Sequence, residues 1–259
     1  MKTLFNRIYS DYAMPSQLAA HERFIAAARE AGYAQTSVRQ FFDAQRGSPQ
    51  RAAHTVVHRH DIDTDVRTAR KLFELEKRQR ITSSFYFRLS TLDLRLMKEI
   101  EDYGSEASYH YEELATFAKR HKIKDAAEIR RRLPEIRDHF EANFRRIEQR
   151  LGRKMTTVAS HGDFANRALK VNNTEILHDA ALRKDCGIEC ETYDAALLGN
   201  IDIYISDRPH PAYFHPHAPG EALGRHRRIC LLTHPRQCET NWGANTRDNL
   251  VRLYEGLTW

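Results

Sequence analysis

The sequence predicts an α/β fold in which parallel strands are joined by helical crossovers. Short segments rich in β-branched or aromatic residues recur along the 259-residue chain, and helical patterns separate the early ones. Strands that alternate with helices are typical of parallel sheets. The length allows a substantial core, and it fits one domain of the barrel or doubly wound kind as well as two small ones.

Seven of these segments are predicted to be buried strands because each is a short apolar run bounded by polar or turn-forming residues. They cover residues 55–59, 82–88, 106–110, 156–160, 189–193, 202–206 and 229–233. Two helices are predicted between the early strands. Their apolar faces consist of Val66, Ala69, Phe73, Leu94, Met97 and Ile100.

The longest helical pattern covers residues 125–151, where apolar residues spaced three and four apart form one stripe. Asp125 is predicted to cap its first turn and Gly152 to end it. Pro134 is expected to kink the helix or divide it.

The segment before the first strand, residues 15–45, is predicted to form two helices with Phe24, Ala27 and Ala28 facing inward. Only a short linker-like stretch, residues 46–49, follows it. We therefore expect one domain over residues 1–259, with residues 1–50 as a helical extension packed on it.

Composition excludes some classes of protein. With 41% hydrophobic and 29% charged residues, the chain is typical of soluble globular proteins rather than disordered or membrane proteins. It begins without a secretory signal and has no run of 18 apolar residues, so we expect a cytoplasmic protein. The four cysteines are expected to be buried thiols. A zinc site at Cys186 and Cys190 is a weaker alternative, because no matching Cys/His pair lies at zinc-finger spacing.

The net charge of +6 suits an anionic partner. Nucleic acid is one such partner, but the basic runs at residues 130–132, 145–146 and 225–228 lack interleaved aromatic residues and any known binding motif. We expect no nucleic-acid binding. A solvated helix face, or a funnel for an anionic substrate, explains these runs better.

Polar residues follow four of the predicted strands. Asp61 and Asp63 come at the end of the first strand, His110 ends the third, His161 follows the fourth and His234 follows the last. The carboxyl ends of parallel strands meet at one face, where catalytic residues are carried. These carboxylates and imidazoles are therefore expected to converge.

Asp61 and Asp63 are two residues apart, so in a continuous strand they point to the same side, with Arg59 behind them. Two adjacent carboxylates repel unless a cation neutralises them, and either a divalent metal or Arg59 would do so. The alternative is that the two aspartates only cap the next helix and pair with Arg59 and Arg67.

Four motifs in order resemble the NodB-homology polysaccharide deacetylases, and more narrowly the deacetylases associated with O-antigen biosynthesis. They are residues 59–63 (Arg-His-Asp-Ile-Asp), 103–112 (Tyr-Gly-Ser-Glu-Ala-Ser-Tyr-His-Tyr-Glu), 160–162 (Ser-His-Gly) and 231–235 (Leu-Leu-Thr-His-Pro). The resemblance implies a distorted seven-stranded (β/α) barrel. It also implies Asp61 as general base, Asp63 and His110 as metal ligands, and His234 as general acid.

The chain departs from the family pattern at two places. Leu114 stands where the family's second motif has another histidine. We expect His161 to be the third metal ligand instead, because imidazole suits a zinc-like ion, and Glu113 or Glu112 is the next choice. The family's arginine-proline motif is not recognisable, so the residue that orients the base is not identified.

The Pro-rich stretch 208–217 is expected to be a loop, and a loop over the barrel mouth could contact sugar. Its histidines, His210, His215 and His217, either contact sugar or have no role. Tyr213, Phe214 and Trp242 could stack on a sugar ring, although single aromatic residues more often pack.

The predicted function is hydrolysis of an N-acetyl or related acyl group from an amino sugar in surface polysaccharide or O-antigen biosynthesis. A divalent ion, zinc by preference, activates the water and stabilises the oxyanion. Asp61 accepts a proton and His234 donates one to the departing amine. A nucleotide- or lipid-linked substrate would match the excess of basic residues. The alternative is a non-catalytic sugar-binding or scaffold protein on the same fold.

Overall fold

The computed structural model describes residues 2–47 and 54–259. The first half contains α1 (Lys2–Tyr12), α2 (Leu18–Glu30), β1 (Ala34–Thr36), α3 (Val38–Gly47), β2 (Thr55–Ile62), α4 (Val66–Arg78), β3 (Ser84–Phe87), α5 (Leu94–Tyr103), β4 (Glu106–Tyr111), α6 (Glu113–His121) and α7 (Ala126–Arg131). The second half contains α8 (Leu133–Leu151), β5 (Thr157–Ser160), α9 (Phe164–Leu169), α10 (Ala180–Cys186), β6 (Cys190–Glu191), α11 (Ala195–Leu198), β7 (Ile203–Asp207), β8 (Phe214–His215), β9 (Arg228–Thr233), α12 (Pro235–Cys238) and α13 (Trp242–Thr258).

Eight strands follow one another in the order β6-β5-β4-β3-β2-β9-β7-β8, and β1 pairs with the first part of β2. All the pairs are parallel except β7 with β8. The sheet curls into a half-barrel. Within the described residues no pairing joins its two edges, so the prediction of a closed seven-stranded barrel is wrong in closure and in strand count.

The seven predicted strands are all present, and the structure adds β1 and β8. β1 lies in the segment expected to be purely helical, and β8 lies in the Pro-rich stretch expected to be a loop. With three and two residues, these strands are too short to show a periodic pattern. The antiparallel, two-residue β8 ends one side of the sheet, and the two-residue β6 ends the other.

The two faces of β2 pack against different parts of the protein. Ile62 packs on the outer face with Phe73 of α4 and with the helices that follow. Val57 packs on the inner face with Phe41 of α3 and with Tyr86 of β3. All eight residues of β2 are buried, which makes it the central strand of the half-barrel.

The long predicted helix is divided into α7 and α8 at Arg132, and Pro134 lies in the first turn of α8. Proline fits there because the first helical N–H groups need no intrahelical acceptor. The side chain of Asp125 accepts a hydrogen bond from the Glu128 amide, and Gly152 ends α8 with φ +70°. These helix predictions are confirmed.

The N-terminal segment differs from its prediction in three ways. It contains the additional helix α1 and the strand β1, so it contributes to the sheet as well as covering it. Phe24 and Ala28 are buried as expected, but Ala27 is exposed. Residues 1 and 48–50 of the predicted extension lie outside the described residues.

Among the described residues, no helix combines the length and the apolar character needed to cross a bilayer. The four cysteines are buried free thiols. Several arginines of the basic runs lie on the surface in ion pairs, including Arg130 with Glu175 and Arg145 with Glu141.

Glu76 of α4 is a buried carboxylate with no Lys or Arg in contact with it among the described residues. Its Oε1 accepts from the Nε2 atoms of His21 at 2.9 Å and His60 at 2.8 Å, and Ser83 donates to its Oε2. Burial raises the pKa of Glu76, but the imidazoles of His60 and His21 outweigh burial and hold it well below its usual value.

We expect Glu76→Gln to lower the free energy of unfolding by about 3–5 kcal/mol at pH 7, because it breaks a buried charged network. Glu74→Gln, on a more exposed face of the same helix, should change it by less than about 0.5 kcal/mol. Urea unfolding measures both.

A carboxyl group whose pKa is lowered in the folded state adds to the free energy of unfolding at pH values above its ordinary pKa. This contribution is lost as the pH falls. The gap between wild type and Glu76→Gln should therefore narrow below about pH 4.5; a gap independent of pH would contradict this account.

Candidate functional site

The structure brings the five predicted site residues together at the carboxyl ends of the strands. Asp63 Oδ1 lies 3.1 Å from His110 Nε2 and 3.1 Å from His161 Nδ1. His110 Nε2 also lies 3.5 Å from Asp61 Oδ2, and His234 Nε2 lies 4.0 Å from Asp63 Oδ2. Strands β2, β4, β5 and β9 thus each supply at least one side chain.

Asp63, His110 and His161 form one of three groups of described side chains that could hold a metal ion. His161 Nδ1 and His110 Nε2 are 3.3 Å apart, so the three facing atoms form a nearly equilateral triangle. Ligands about 2.0–2.2 Å from a tetrahedral zinc ion are separated from one another by about 3.3–3.5 Å. The triangle has nearly this size.

The hydrogen bonds around the triangle also favour a cation. His110 Nδ1 lies 3.0 Å from the carbonyl oxygen of Ala159 and must donate to it, so the Nε2 of a neutral His110 presents a lone pair. Asp63 Oδ1 is buried and has no hydrogen-bond partner among the described residues. When His110 is neutral, its Nε2 and Asp63 Oδ1 are two acceptors 3.1 Å apart, and either a proton or a divalent ion between them removes their repulsion.

Asp63 remains ionised in this setting. Burial raises the pKa of its carboxyl group, but the imidazoles of His161 and His110 outweigh burial and hold it well below its usual range. An ionised carboxylate and two imidazoles are a donor set that zinc accepts. The residues present therefore fit a divalent ion.

Asp61 is held by Arg59 from the same strand. Arg59 Nε donates to Oδ1 at 2.8 Å and Nη2 donates to Oδ2 at 2.7 Å, and both side chains are buried. The guanidinium also lies over the Tyr193 ring, with Cζ 4.8 Å from its centroid. Burial raises the pKa of Asp61, but Arg59 outweighs burial and lowers it. Arg59 thus fixes the direction of the Asp61 carboxylate.

His234 is held by Asp207, the last residue of β7. Its Nδ1 lies 2.6 Å from Asp207 Oδ1, and its amide donates to Oδ2 at 2.6 Å. Burial lowers the pKa of His234, but Asp207, followed by Asp63 and Asp61, outweighs burial and raises it to about 10. The Nε2 of His234, which faces Asp63, therefore carries a proton at neutral pH.

The other residues considered as a third ligand point elsewhere. Glu113 accepts from the Tyr109 hydroxyl and, at 2.9 Å, from Asn143, both away from the triangle. Glu112 forms a two-bond ion pair with Arg88. Glu112 does face His161 from the other side, in a second candidate group with Asp163.

A cleft of about 890 Å³ opens over Asp63 and His234. One wall of the cleft is formed by residues 206–212, Phe214 and His215, so part of the Pro-rich stretch lies over the site. His210 and His215 line the cleft, whereas His217 does not. Trp242 lies outside it and donates from Nε1 to the carbonyl oxygen of Tyr12.

Asp207 was not anticipated from the sequence, although a signal was present. It directly follows the predicted strand 202–206, as His161 directly follows the predicted strand 156–160. The role of Arg59 was anticipated only as one of two ways to neutralise the aspartate pair. The cysteines contribute to none of the candidate metal groups among the described residues.

No family model, curated protein or solved structure matches this chain. The similarity to polysaccharide deacetylases therefore stays a prediction, and the chemistry is argued from the geometry of the site.

We expect purified protein to bind one zinc ion per chain at this site, and Asp63→Ala, His110→Ala and His161→Ala each to weaken binding. The loss should exceed the roughly 10- to 100-fold typical when an outer partner of a metal ligand is removed. Equilibrium dialysis followed by elemental analysis measures the affinity. His178→Ala, an exposed histidine outside the groups, is the matched control. Full zinc occupancy in Asp63→Ala and His110→Ala would refute the assignment.

Proposed function

We propose that this protein is a metal-dependent hydrolase that removes an N-acetyl or related short acyl group from an amino sugar. The observation that carries the proposal is that a carboxylate and a protonated imidazole both lie beside the Asp63–His110–His161 triangle. Asp61 lies 3.5 Å from His110, and His234 lies 4.0 Å from Asp63. Amide hydrolysis needs one group that accepts a proton and another that donates one.

The ion held by Asp63, His110 and His161 would supply Lewis acidity, which activates water and stabilises developing negative charge. Asp61 is the proton acceptor. Arg59 fixes both carboxylate oxygens and keeps the group ionised, so it is available to take a proton from attacking water. Its position is set by one strand, since both residues belong to β2.

His234 is the proton donor. An amide nitrogen is a poor leaving group until it is protonated, and the imidazolium of His234 carries that proton on Nε2 while Asp207 holds Nδ1. A negative partner on Nδ1 fixes the tautomer and orients the ring. Asp207 therefore acts as a positioning residue.

The cleft favours a substrate of sugar size with an anionic group. Arg208 lines it, is exposed, and has no carboxylate partner among the described residues. Arg236, on another wall, is paired with Asp11 and Asp248. A nucleotide- or lipid-linked amino sugar would place its phosphates near Arg208. Surface polysaccharide biosynthesis uses such precursors and is the process we propose.

The direct test is to incubate zinc-loaded protein with UDP-N-acetylglucosamine and with simple N-acetylglucosamine glycosides. Acetate and a primary amine should appear in equal amounts, and chelation of zinc should abolish both. Binding of these sugars without any acetate release, at full zinc occupancy, would instead identify a non-catalytic sugar-binding protein.

We expect Asp61→Asn to keep its zinc and lose activity. The amide preserves the shape of the side chain but has no carboxylate to accept the proton, so turnover should fall by about 100-fold or more. Elemental analysis and acetate release are measured on the same sample. Wild-type turnover in the zinc-loaded variant would exclude Asp61 as the base.

His234→Ala should depress amide hydrolysis by on the order of a hundredfold or more, and hydrolysis of an activated aryl acetate much less, because an aryl oxide leaves without a proton. Equal losses on both substrates, at unchanged zinc content, would make His234 a positioning residue only.

Asp207→Asn tests the partner of His234. The wild-type pKa of about 10 depends mainly on Asp207, and an acid is active only below its pKa. Removing this charge lowers the pKa, so the alkaline limb of the pH–rate profile should move to lower pH. A limb that stays in place would show that His234 is not the titrating acid.

A further inference from the structure

Next to the catalytic cleft lies a second, smaller cavity with a volume of about 350 Å³. It is bounded by α2, by β8, by the turn Pro219–Ala222 and by the end of β9. Its apolar lining consists of Ala20, Phe24, Ala27, Phe214, Pro219 and Leu231. This volume is within the range of about 300–1,000 Å³ found for small-molecule sites, and apolar lining is usual in them.

The cavity and the cleft share a wall. Asp207, Phe214 and Gln237 line both. Asp207 is the carboxylate that holds His234, so the cavity begins directly behind the acid pair. A molecule in the cleft would reach the apolar lining of the cavity by passing over this shared wall at Phe214.

The cavity lies on one particular side of the reaction centre. His234 protonates the departing nitrogen, so the nitrogen and the sugar that carries it lie on the side of His234. The cavity is on this side, against β8 and the end of β9, whereas His110 and His161 come from β4 and β5. The group that reaches the cavity is thus attached to the sugar and is not the acyl group.

The charges near the cavity suit an anionic linker. Arg23 lines the cavity and Arg208 lines the cleft. Both side chains are exposed, and within the described part of the chain neither has a carboxylate partner. A phosphate between a sugar in the cleft and a hydrocarbon chain in the cavity would carry the charge that these two guanidinium groups bind.

Resting on the proposed function, we propose that the substrate is an amphiphile, an amino sugar whose anionic linker lies near Arg208 and Arg23 and whose hydrocarbon chain occupies this cavity. The group removed stays short, and the chain on the sugar supplies the binding energy. Apolar groups that enter such a cavity leave water, which strengthens binding with each methylene buried.

Two alanines of α2 allow the cavity to be filled without touching the catalytic residues. Ala20 and Ala27 line it, and Ala27 is exposed, so a larger side chain can be accepted there. Ala20→Phe and Ala27→Phe are the test variants. Ala19→Phe is the matched control, because Ala19 is exposed on the same helix and does not line the cavity.

The experiment compares methyl and decyl glycosides of N-acetylglucosamine, below the micelle concentration of the decyl compound. We expect wild type and Ala19→Phe to prefer the decyl glycoside by at least about tenfold in kcat/KM and in Kd, the gain from burying about two methylene groups. In Ala20→Phe and Ala27→Phe the ratio should fall towards one. Melting temperatures confirm that the variants are folded.

Four outcomes distinguish the cavity proposal from the hydrolase proposal. A decyl-to-methyl ratio near one in wild type, or a high ratio kept in both filled variants, would overturn the cavity proposal. Methyl N-decanoylglucosaminide carries its hydrocarbon chain on the acyl group. If the protein prefers this compound to the decyl glycoside, the chain binds on the acyl side and the cavity proposal is also overturned. Binding of the decyl glycoside that depends on the cavity, measured by calorimetry without any hydrolysis, would support the cavity proposal while the hydrolase proposal fails.

Discussion

Four consecutive polar residues, 58–61, are buried in the middle of the central strand, and much of the structure depends on how they are paired. A buried polar group without a partner costs about 1–3 kcal/mol, and a buried charge costs more. On the outer face, His58 bonds to Gln35 of β1, and His60 bonds to Glu76 of α4 and to Thr233 of β9. The hydrogen bonds of these two histidines therefore connect α4, β1 and β9 to β2.

On the inner face, the kind of cation beside each carboxylate determines what that carboxylate can do. Arg59 cannot lose its proton within the functional pH range, so Asp61 beside it stays ionised and fixed in direction. Asp63 faces imidazoles, which can exchange protons for a metal ion. Asp207, at the end of β7, faces the imidazole of His234 and keeps it protonated. Three similar carboxylates at one edge thus lie in three different electrostatic environments.

The sequence predicts which polar residues come together better than it predicts the architecture, and the reason is physical. Side chains at strand ends converge in any parallel sheet, so Asp63, His110 and His161 could be grouped from strand positions alone. Closure of a barrel depends on whether distant edges pair, and local periodicity carries no information about that. The two-residue β8 is too short to have a pattern, yet it forms an edge of the sheet. Arg59 could be foreseen beside Asp61 because residues two apart share a face.

Two clusters of similar composition lie at β2, and their positions along it explain why only one is suited to an ion. His21, His60 and Glu76 meet beside the buried part of the strand, where the Glu76 oxygens receive three hydrogen bonds and the side chain is 1% exposed. Hydrogen bonds from His21, His60 and Ser83 already occupy both Glu76 oxygens, and an ion would have to displace them. Asp63 lies one residue beyond the strand, is 19% exposed and retains an oxygen with no hydrogen bond among the described residues. Ion binding requires both open access and an unsatisfied ligand atom. In this protein the end of a strand provides both, and its interior provides neither.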